Sequence, residues 1–558
     1  MKFHTRALVS AIRRASLVAT SAMLFSTPAA LAAVGDFNGD GIGDVAIGIP
    51  NESIVSGGIN RASAGAVNVI YGSANNGLVG AQAGTPTSQL WHQDVTGIGD
   101  VVEGGDRFGD GVATGDFNGD GFADLAVAVR GDNAIQIING SAAGLIADGS
   151  RVILASQIDD ANGRALTIGG NALAATGTSL ATGDFNGDGV DDIAIEGREL
   201  GAAGSNELEV SKVVVLYGTA GSGLSLAGID LFTFANNQQF VGEGDLFGVK
   251  IALAAGDVDA DGDDDLAVGL PFSNLTATNG GSALDGGRVG ILLGTPASGL
   301  STAGFRTLLQ STGNAEPVEL DDRFGWSLTM GDFNGDGLAD LAAGAAFDDR
   351  GLNSFFDEGA VSVFSGAATF QSFWTQNVLN QPRDSGDLFG FVLAAADFNG
   401  DGRADLAIGQ PGDFISQLSG DNAGAVSVIF GGTGGLAIAN GVGLQYLAQG
   451  NTAAGTSQRD ERFGTALSAG NFGRSSHADL LVGTPGETVT TYTREVYSGC
   501  GQVLCVRLIP NLQVGAGVVG AVYGSATGFS ATGAQAFSQS SGSIPDSAEA
   551  GDAFGGTQ

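Results

Sequence analysis

Basic residues are scarce in this chain: 23 lysines and arginines stand against 60 aspartates and glutamates, for a formal charge of −37 over 558 residues. Nucleic acid and anionic lipid are bound through basic patches, so a surface this acidic excludes both as partners. Cysteine is rarer still. Cys500 and Cys505 are the only two, which rules out a disulfide framework and leaves one local bridge, expected if the chain is exported. Past the amino terminus no segment is apolar for the length of a membrane helix. Histidine occurs three times, and His92 and His477 lie outside any His-Glu-x-x-His zinc signature. A Gly-x-Ser-x-Gly elbow and a Gly-x-x-x-x-Gly-Lys phosphate loop are also missing. Carboxylate pairs are plentiful, and since a glycosidase or lyase needs little else, polysaccharide chemistry stays open as a second function.

The amino terminus carries Lys2, Arg6, Arg13 and Arg14, then the apolar run Leu17 to Phe25, then Ala30-Leu31-Ala32. This order reads as a signal peptide over residues 1–32. Its removal takes away four basic residues and moves the charge from −37 to −41. The remaining 33–558 is expected to be secreted, or held at the cell surface or in a periplasm.

Glycine is abundant, with 95 residues, and it falls at recurring positions rather than in a low-complexity tract. Six times the chain writes one nine-residue loop: DFNGDGIGD from Asp36, DFNGDGFAD from Asp116, DFNGDGVDD from Asp184, DVDADGDDD from Asp257, DFNGDGLAD from Asp332 and DFNGDGRAD from Asp397. Oxygen donors at positions one, three, five and nine, a main-chain carbonyl at seven and glycine at six suit a hard cation that collects many oxygens, and calcium is the natural occupant. The candidate ligands are Asp36, Asn38, Asp40, Ile42 and Asp44; Asp116, Asn118, Asp120, Phe122 and Asp124; Asp184, Asn186, Asp188, Val190 and Asp192. The other three loops contribute Asp257, Asp259, Asp261, Asp263 and Asp265; Asp332, Asn334, Asp336, Leu338 and Asp340; Asp397, Asn399, Asp401, Arg403 and Asp405. About six structural calcium ions are therefore expected, offsetting about twelve charges.

An EF-hand places a bidentate glutamate at position twelve, between helices. Here position twelve is Ile47, Val127, Ile195, Val268, Ala343 and Ile408. The flanks are short β-rich runs such as DVAIGIP and DLAVGLP, so each loop is placed in a β-hairpin. A seventh copy, Asn471 to Asp479, keeps the frame, but Gly473, Ser475 and Ser476 replace two ligands and the turn glycine. No metal is expected there.

An acidic-x-Phe-Gly element precedes most loops, at Asp106, Asp245, Asp322, Asp387 and Glu461. After each loop comes an apolar strand, often ending in Gly-x-Pro, then a variable connection and a strand closed by glycine, as in GAVNVIYG, GRVGILLG and GAVSVIFG. The third unit has Thr176-Gly177 in place of Phe-Gly, and the fourth has two extra residues between Phe247 and Asp257. First ligands recur every 65 to 80 residues or so, a period suited to a four-stranded blade.

In this order the elements resemble the FG-GAP repeats of integrin alpha-subunit propellers and of many secreted bacterial proteins. The resemblance implies an all-β, seven-bladed β-propeller with four-stranded antiparallel blades, calcium-binding hairpins on one face, and ligand-engaging connections on the other. Those connections are residues 51–64, 272–287, 347–359, 412–424 and 486–515. A lone Phe554-Gly555 at the carboxyl end and a first loop with no Phe-Gly before it look like two halves of one repeat closing the ring, the alternative being a chain that continues into an eighth unit. The expected function is extracellular binding or adhesion, with a protein or glycan as partner. The Arg130-Gly131-Asp132 tripeptide is read as ordinary turn chemistry.

Overall fold

The computed structural model describes residues 32–79, 88–158, 166–168, 178–199, 210–234, 250–276, 282–313, 317–349, 356–366, 369–414, 422–438, 443–449, 460–487, 489–500, 503–513, 516–539, 541 and 554. The leader, the Thr176-Gly177 site and the Phe247 spacing lie outside them. The backbone of Cys500 and Cys505 belongs to a hairpin of Val489–Cys500 with Val503–Gln513, but the side chains on which the expected disulfide depends are outside the described ones.

Among the described residues, seven antiparallel sheets of four or five strands follow one another along the chain, each laying its strands down in sequence order, with three separate two-stranded hairpins. The first blade divides its outermost position between Gly77–Val79 and Gln89–Trp91, and the third adds Leu166–Ile168 beside its second strand. The innermost strands are Ala32–Gly35, Phe108–Gly115, Leu180–Gly183, Ala252–Gly256, Ser327–Gly331, Val392–Ala396 and Ala466–Gly470. Each packs against the next, and the seventh packs against the first, so the sheets form a closed ring. The architecture is the all-β seven-bladed propeller expected from the repeats.

Second strands such as Asp44–Ile49, Asp265–Leu270 and Asp405–Gln410 are buried at every residue. They lie between neighbouring blades, with both faces covered, so they read as continuous apolar runs rather than alternating ones. The outer strand Ser301–Leu308 is exposed along most of its length. Phe108, Phe324, Phe389 and Phe463 are almost wholly buried. Their N–H groups donate to Ala64, Gly286, Glu358 and Ala423 of the preceding blade at 2.8–3.2 Å. Phe554 is likewise buried, and its N–H donates to the Ala516 carbonyl of the seventh blade at 2.9 Å.

The glycine before the Gly-x-Pro proline is required by the same blade contact. A Cβ on Gly48 would stand 2.2 Å from the carbonyl oxygen of Gly109, and one on Gly269 equally close to that of Gly325. The Phe-Gly and Gly-x-Pro elements are thus two sides of one interblade junction. No helix among the described residues is long and apolar enough to cross a membrane.

Candidate metal centre

All seven acidic loops join the first strand of a blade to its second, and so gather on one face of the ring. In the first loop, the N–H groups of Asp40 and Gly41 donate to the two Asp36 oxygens at 3.0 and 2.7 Å, while Ile42 N–H donates to Asp40 Oδ1 at 3.0 Å. The second, third, fifth and sixth loops repeat the pattern through Asp116 and Asp120, Asp184 and Asp188, Asp332 and Asp336, and Asp397 and Asp401. In the fourth, Gly262 donates to Asp257 and Asp263 to Asp261, both at 3.1 Å. These bonds curl the chain tightly about position one, and in the fourth loop, alone among the described residues, three carboxylates come close together, at positions one, three and nine. Ligand oxygens of Asp257, Asp259 and Asp265 lie within 4.8 Å of one another.

At position three, the Asn38 and Asn399 amide oxygens accept from Asp40 and Asp401 at 2.8–2.9 Å. Asn118, Asn186 and Asn334 instead turn their amide nitrogen toward Asp124, Asp192 and Asp340. A half-turn of the amide plane presents their oxygen to a cation.

Position nine has a structural role of its own. Asp44 is buried; its Oδ2 accepts from Phe37 N–H at 3.0 Å and its Oδ1 from Gly72 N–H at 2.9 Å. The same clamp joins Asp192 to Phe185 and Gly218, Asp265 to Val258 and Gly294, and Asp405 to Phe398 and Gly431. It ties the hairpin to the end of the third strand. The glycine closing that strand is needed because a Cβ on Gly72 would stand 2.4 Å from the Gly43 carbonyl oxygen, with 2.3 Å for Gly140 against Ala123.

The seventh loop separates clamp from ligands. Asp479 accepts from Phe472 and Gly524 at 2.8 and 2.9 Å, as its counterparts do, although position three has lost its side-chain oxygen and position five keeps only the Ser475 hydroxyl, held by the His477 N–H and the Gly524 carbonyl. In that loop Arg474 donates to the Asn76 carbonyl at 3.1 Å and lies 4.2 Å from the Tyr523 ring, joining the seventh blade to the first. His477 packs under Gly400 of the sixth loop.

The loops are linked in series. The position-eight N–H of each donates to the position-one carbonyl of the loop before: Ala123 to Asp36, Asp191 to Asp116, Asp264 to Asp184, Ala339 to Asp257, Ala404 to Asp332, Ala478 to Asp397, and Gly43 to Asn471, all at 2.7–3.1 Å. This belt runs the whole way round. No single-loop motif could have revealed it, although the fixed spacing from position one to position eight is its signal in the sequence.

Burial, reinforced by the loop's other carboxylates, pushes Asp44 and Asp192 up to about 8, Asp124, Asp265 and Asp405 to about 7, and Asp340 to about 6. Carboxylates placed this way hold their charge poorly by themselves, and a divalent cation bound among them would supply the missing positive charge. The donor set therefore fits calcium. Asp40→Ala and Asp401→Ala are each expected to lower the number of bound ions by about one, measured by equilibrium dialysis; an unchanged count for both would remove these loops as ligands.

Arg130-Gly131-Asp132 is turned inward. Arg130 Nε lies 3.7 Å from Asp110, and Asp132 Oδ2 accepts from Gln93 at 2.6 Å.

The FG-GAP repeat model matches residues 28–70, 108–146, 176–203, 324–364 and 389–429. Bovine phosphatidylinositol-glycan-specific phospholipase D is 31% identical over 182 residues, which is 33% of this chain and 20% of that protein. Integrin alpha-PS2 of Drosophila melanogaster is 32% identical over 249 residues, 42% of this chain and 15% of the integrin. Among solved structures, rhamnogalacturonan lyase YesW aligns with a TM-score of 0.35 at 15% identity, over 74% of this chain and 72% of that one, too loose a likeness to bear on function. The chain spans about a fifth or less of the length of its curated relatives. With the five matched stretches spread around a closed ring of seven blades, the chain carries FG-GAP repeats and resembles the integrin alpha propellers.

Proposed function

We propose that this propeller is an exported, calcium-stabilised binding module that takes a protein ligand on the face opposite the acidic hairpins, in the manner of an adhesion propeller. One observation carries this reading. Six large apolar side chains stand exposed among the described residues, and five of them, Val55, Ile59, Val101, Phe356 and Val378, lie in connections on that opposite face. Val55 and Val101 are 68% and 69% exposed. They flank a small buried cluster that contains Ile54 and Val102, so the two side chains belong to one area at the first and second blades. Apolar groups left in water on surface loops mark a surface that becomes buried on association. The relationship to integrin alpha chains agrees with a protein ligand, and the acidic composition favours a neutral or basic one.

The hairpins hold the scaffold in this scheme and the connections make the contact. Immobilised chain is expected to retain a surface-protein fraction in calcium, and the double change Val55→Asp with Val101→Asp to reduce retention about tenfold or more while leaving the melting temperature unchanged. Retention unaffected by the double change, or release of product from a polysaccharide panel, would replace this reading with a different face or with catalysis.

A further inference from the structure

On the face opposite the hairpins, the blade boundaries repeat a second polar cluster. Its first member is a glutamine two residues beyond the fourth-strand residue that pairs with the first valine of the third strand. Val67 pairs with Trp91, Val289 with Leu308, Val361 with Trp374, Val426 with Leu447 and Val519 with Phe537, which places Gln93, Gln310, Gln376, Gln449 and Gln539 in register. All five are 5% exposed or less. The second member, eight residues after hairpin position nine in the following blade, is an acid: Asp132, Asp348, Asp413, Glu487 and Glu52. The third is the acid of the Phe-Gly element, as in Asp106, Asp322, Asp387 and Glu461.

The three belong together. Gln93 donates to Asp132 at 2.6 Å, Gln449 to Glu487 at 2.8 Å, and Gln539 to Glu52. Where one member is lost, so are others. The second blade has Ala155 at the glutamine position and the third has Leu200 at the acid position; the third has Phe234 and the fourth Ser273.

At two boundaries the glutamine and the Phe-Gly acid are fully buried and present oxygens without donors, while Asp413 beside the second accepts from Gln410 and Tyr446 at 2.6 and 2.8 Å. Asp322 and Asp387 are 0% exposed. Each holds one oxygen against the N–H three residues earlier, from Glu319 and Asp384, both at 2.6 Å. The other oxygen, Oδ1, has no hydrogen-bond partner in either residue, and neither amide atom of the buried Gln310 has one. The charges around them have one sign. Asp322 faces Asp348, Glu319 and Asp349, and Asp387 faces Asp413 and Asp384, with the Gln376 amide beside it. Burial, reinforced by these neighbours, pushes Asp387 up to about 8 and Asp322 well above the usual carboxylate range.

A proton shared between two carboxyls satisfies one oxygen pair and leaves the amide oxygen without a donor. A cation answers all three. The acceptors are carboxylate and amide oxygens, with no imidazole or thiolate, which selects a hard divalent ion. We propose that Gln310, Asp322 and Asp348 at the fourth and fifth blades, and Gln376, Asp387 and Asp413 at the fifth and sixth, form a second class of divalent-cation site, bridging adjacent blades on the face opposite the hairpins.

The tryptophans provide the test. Trp91 and Trp374 stand two residues before Gln93 and Gln376, and Trp326 four residues after Asp322. In strand register Trp91 and Trp374 lie opposite Gly48 and Gly344, four residues and roughly 13 Å beyond hairpin position nine but only two residues from the glutamine of the cluster. Terbium bound to the full chain and excited through tryptophan is therefore expected to luminesce, and calcium to quench it by competition. The double change Asp322→Asn with Asp387→Asn is expected to remove most of that emission and about two bound ions. Asp40→Ala with Asp401→Ala is expected to remove hairpin ions and leave the emission intact. Should the first double variant fail to fold, Gln310→Met alone is expected to weaken the calcium competition about tenfold. Absence of tryptophan-sensitised emission from wild type, or emission and ion count both retained in Asp322→Asn with Asp387→Asn, or calcium competition unchanged in Gln310→Met, would overturn the proposal.

Discussion

Chelating calcium from the full chain is expected to lower its melting temperature by about 10 °C or more. Calcium sites of extracellular modules have dissociation constants of roughly 0.1–1 mM. In about 10 mM calcium, each such site stabilises the folded state by about 1.4–2.7 kcal/mol. Six loops carry the complete ligand pattern, which sums to roughly 8–16 kcal/mol if the ring unfolds as one. That is comparable with the ~5–15 kcal/mol net stability of a typical fold. The belt of hydrogen bonds from each loop to the preceding one makes such cooperativity a structural expectation, because emptying one loop loosens the anchor of the next. Calorimetry with and without chelator measures the shift, and coincident melts would contradict structural calcium.

The second large effect separates the clamp from the metal. Asp479→Ala leaves the N–H groups of Phe472 and Gly524 without the acceptors they now have at 2.8 and 2.9 Å. Stranding two buried donors costs about 2–5 kcal/mol. Because this loop lacks the amide and carboxylate ligands of positions three and five, the loss is expected to be the same in calcium and in chelator. Asp44→Ala breaks the equivalent clamp in a complete loop, so its loss is expected to be larger in calcium. Urea unfolding of both variants in both buffers makes the comparison, and equal calcium dependence would contradict the division of roles.

Acid adds a further test of the same residue. Burial pushes Asp479 up to about 6, although the Phe472 and Gly524 N–H groups and Arg474 oppose the shift. The folded form then holds the proton more tightly than the unfolded chain. The resulting stabilisation is complete below the unfolded value near 4 and is lost as pH rises through about 6. In chelator, the advantage of wild type over Asp479→Ala is expected to grow between pH 7 and pH 4. An advantage that shrinks over that range would reverse the assigned direction.

Much of this architecture is legible in the chain because each signal is local and repeated. Asp36, Asn38, Asp40, Gly41 and Asp44 occupy nine consecutive residues, and position twelve places the loop between strands rather than helices. What the sequence conceals is contact between blades. The N–H of Ala123 meets the Asp36 carbonyl only when the ring has formed, and an alanine carries no mark of that partner. Gln310 and Asp348 are 38 residues apart and belong to different blades, so their relation emerges only once strand pairing sets the register. Position nine was legible as a carboxylate but not as a clamp, since Gly72 approaches from the far end of the third strand.

The central claim is that the complete hairpins hold calcium and that the seventh has exchanged it for protein contacts. Anomalous scattering from crystals grown in calcium tests this most directly. Density is expected between positions one, three and five of the loops beginning at Asp36, Asp116, Asp184, Asp257, Asp332 and Asp397, and none in the loop beginning at Asn471. Six empty hairpins, or an ion between Gly473 and Ser475, would contradict it.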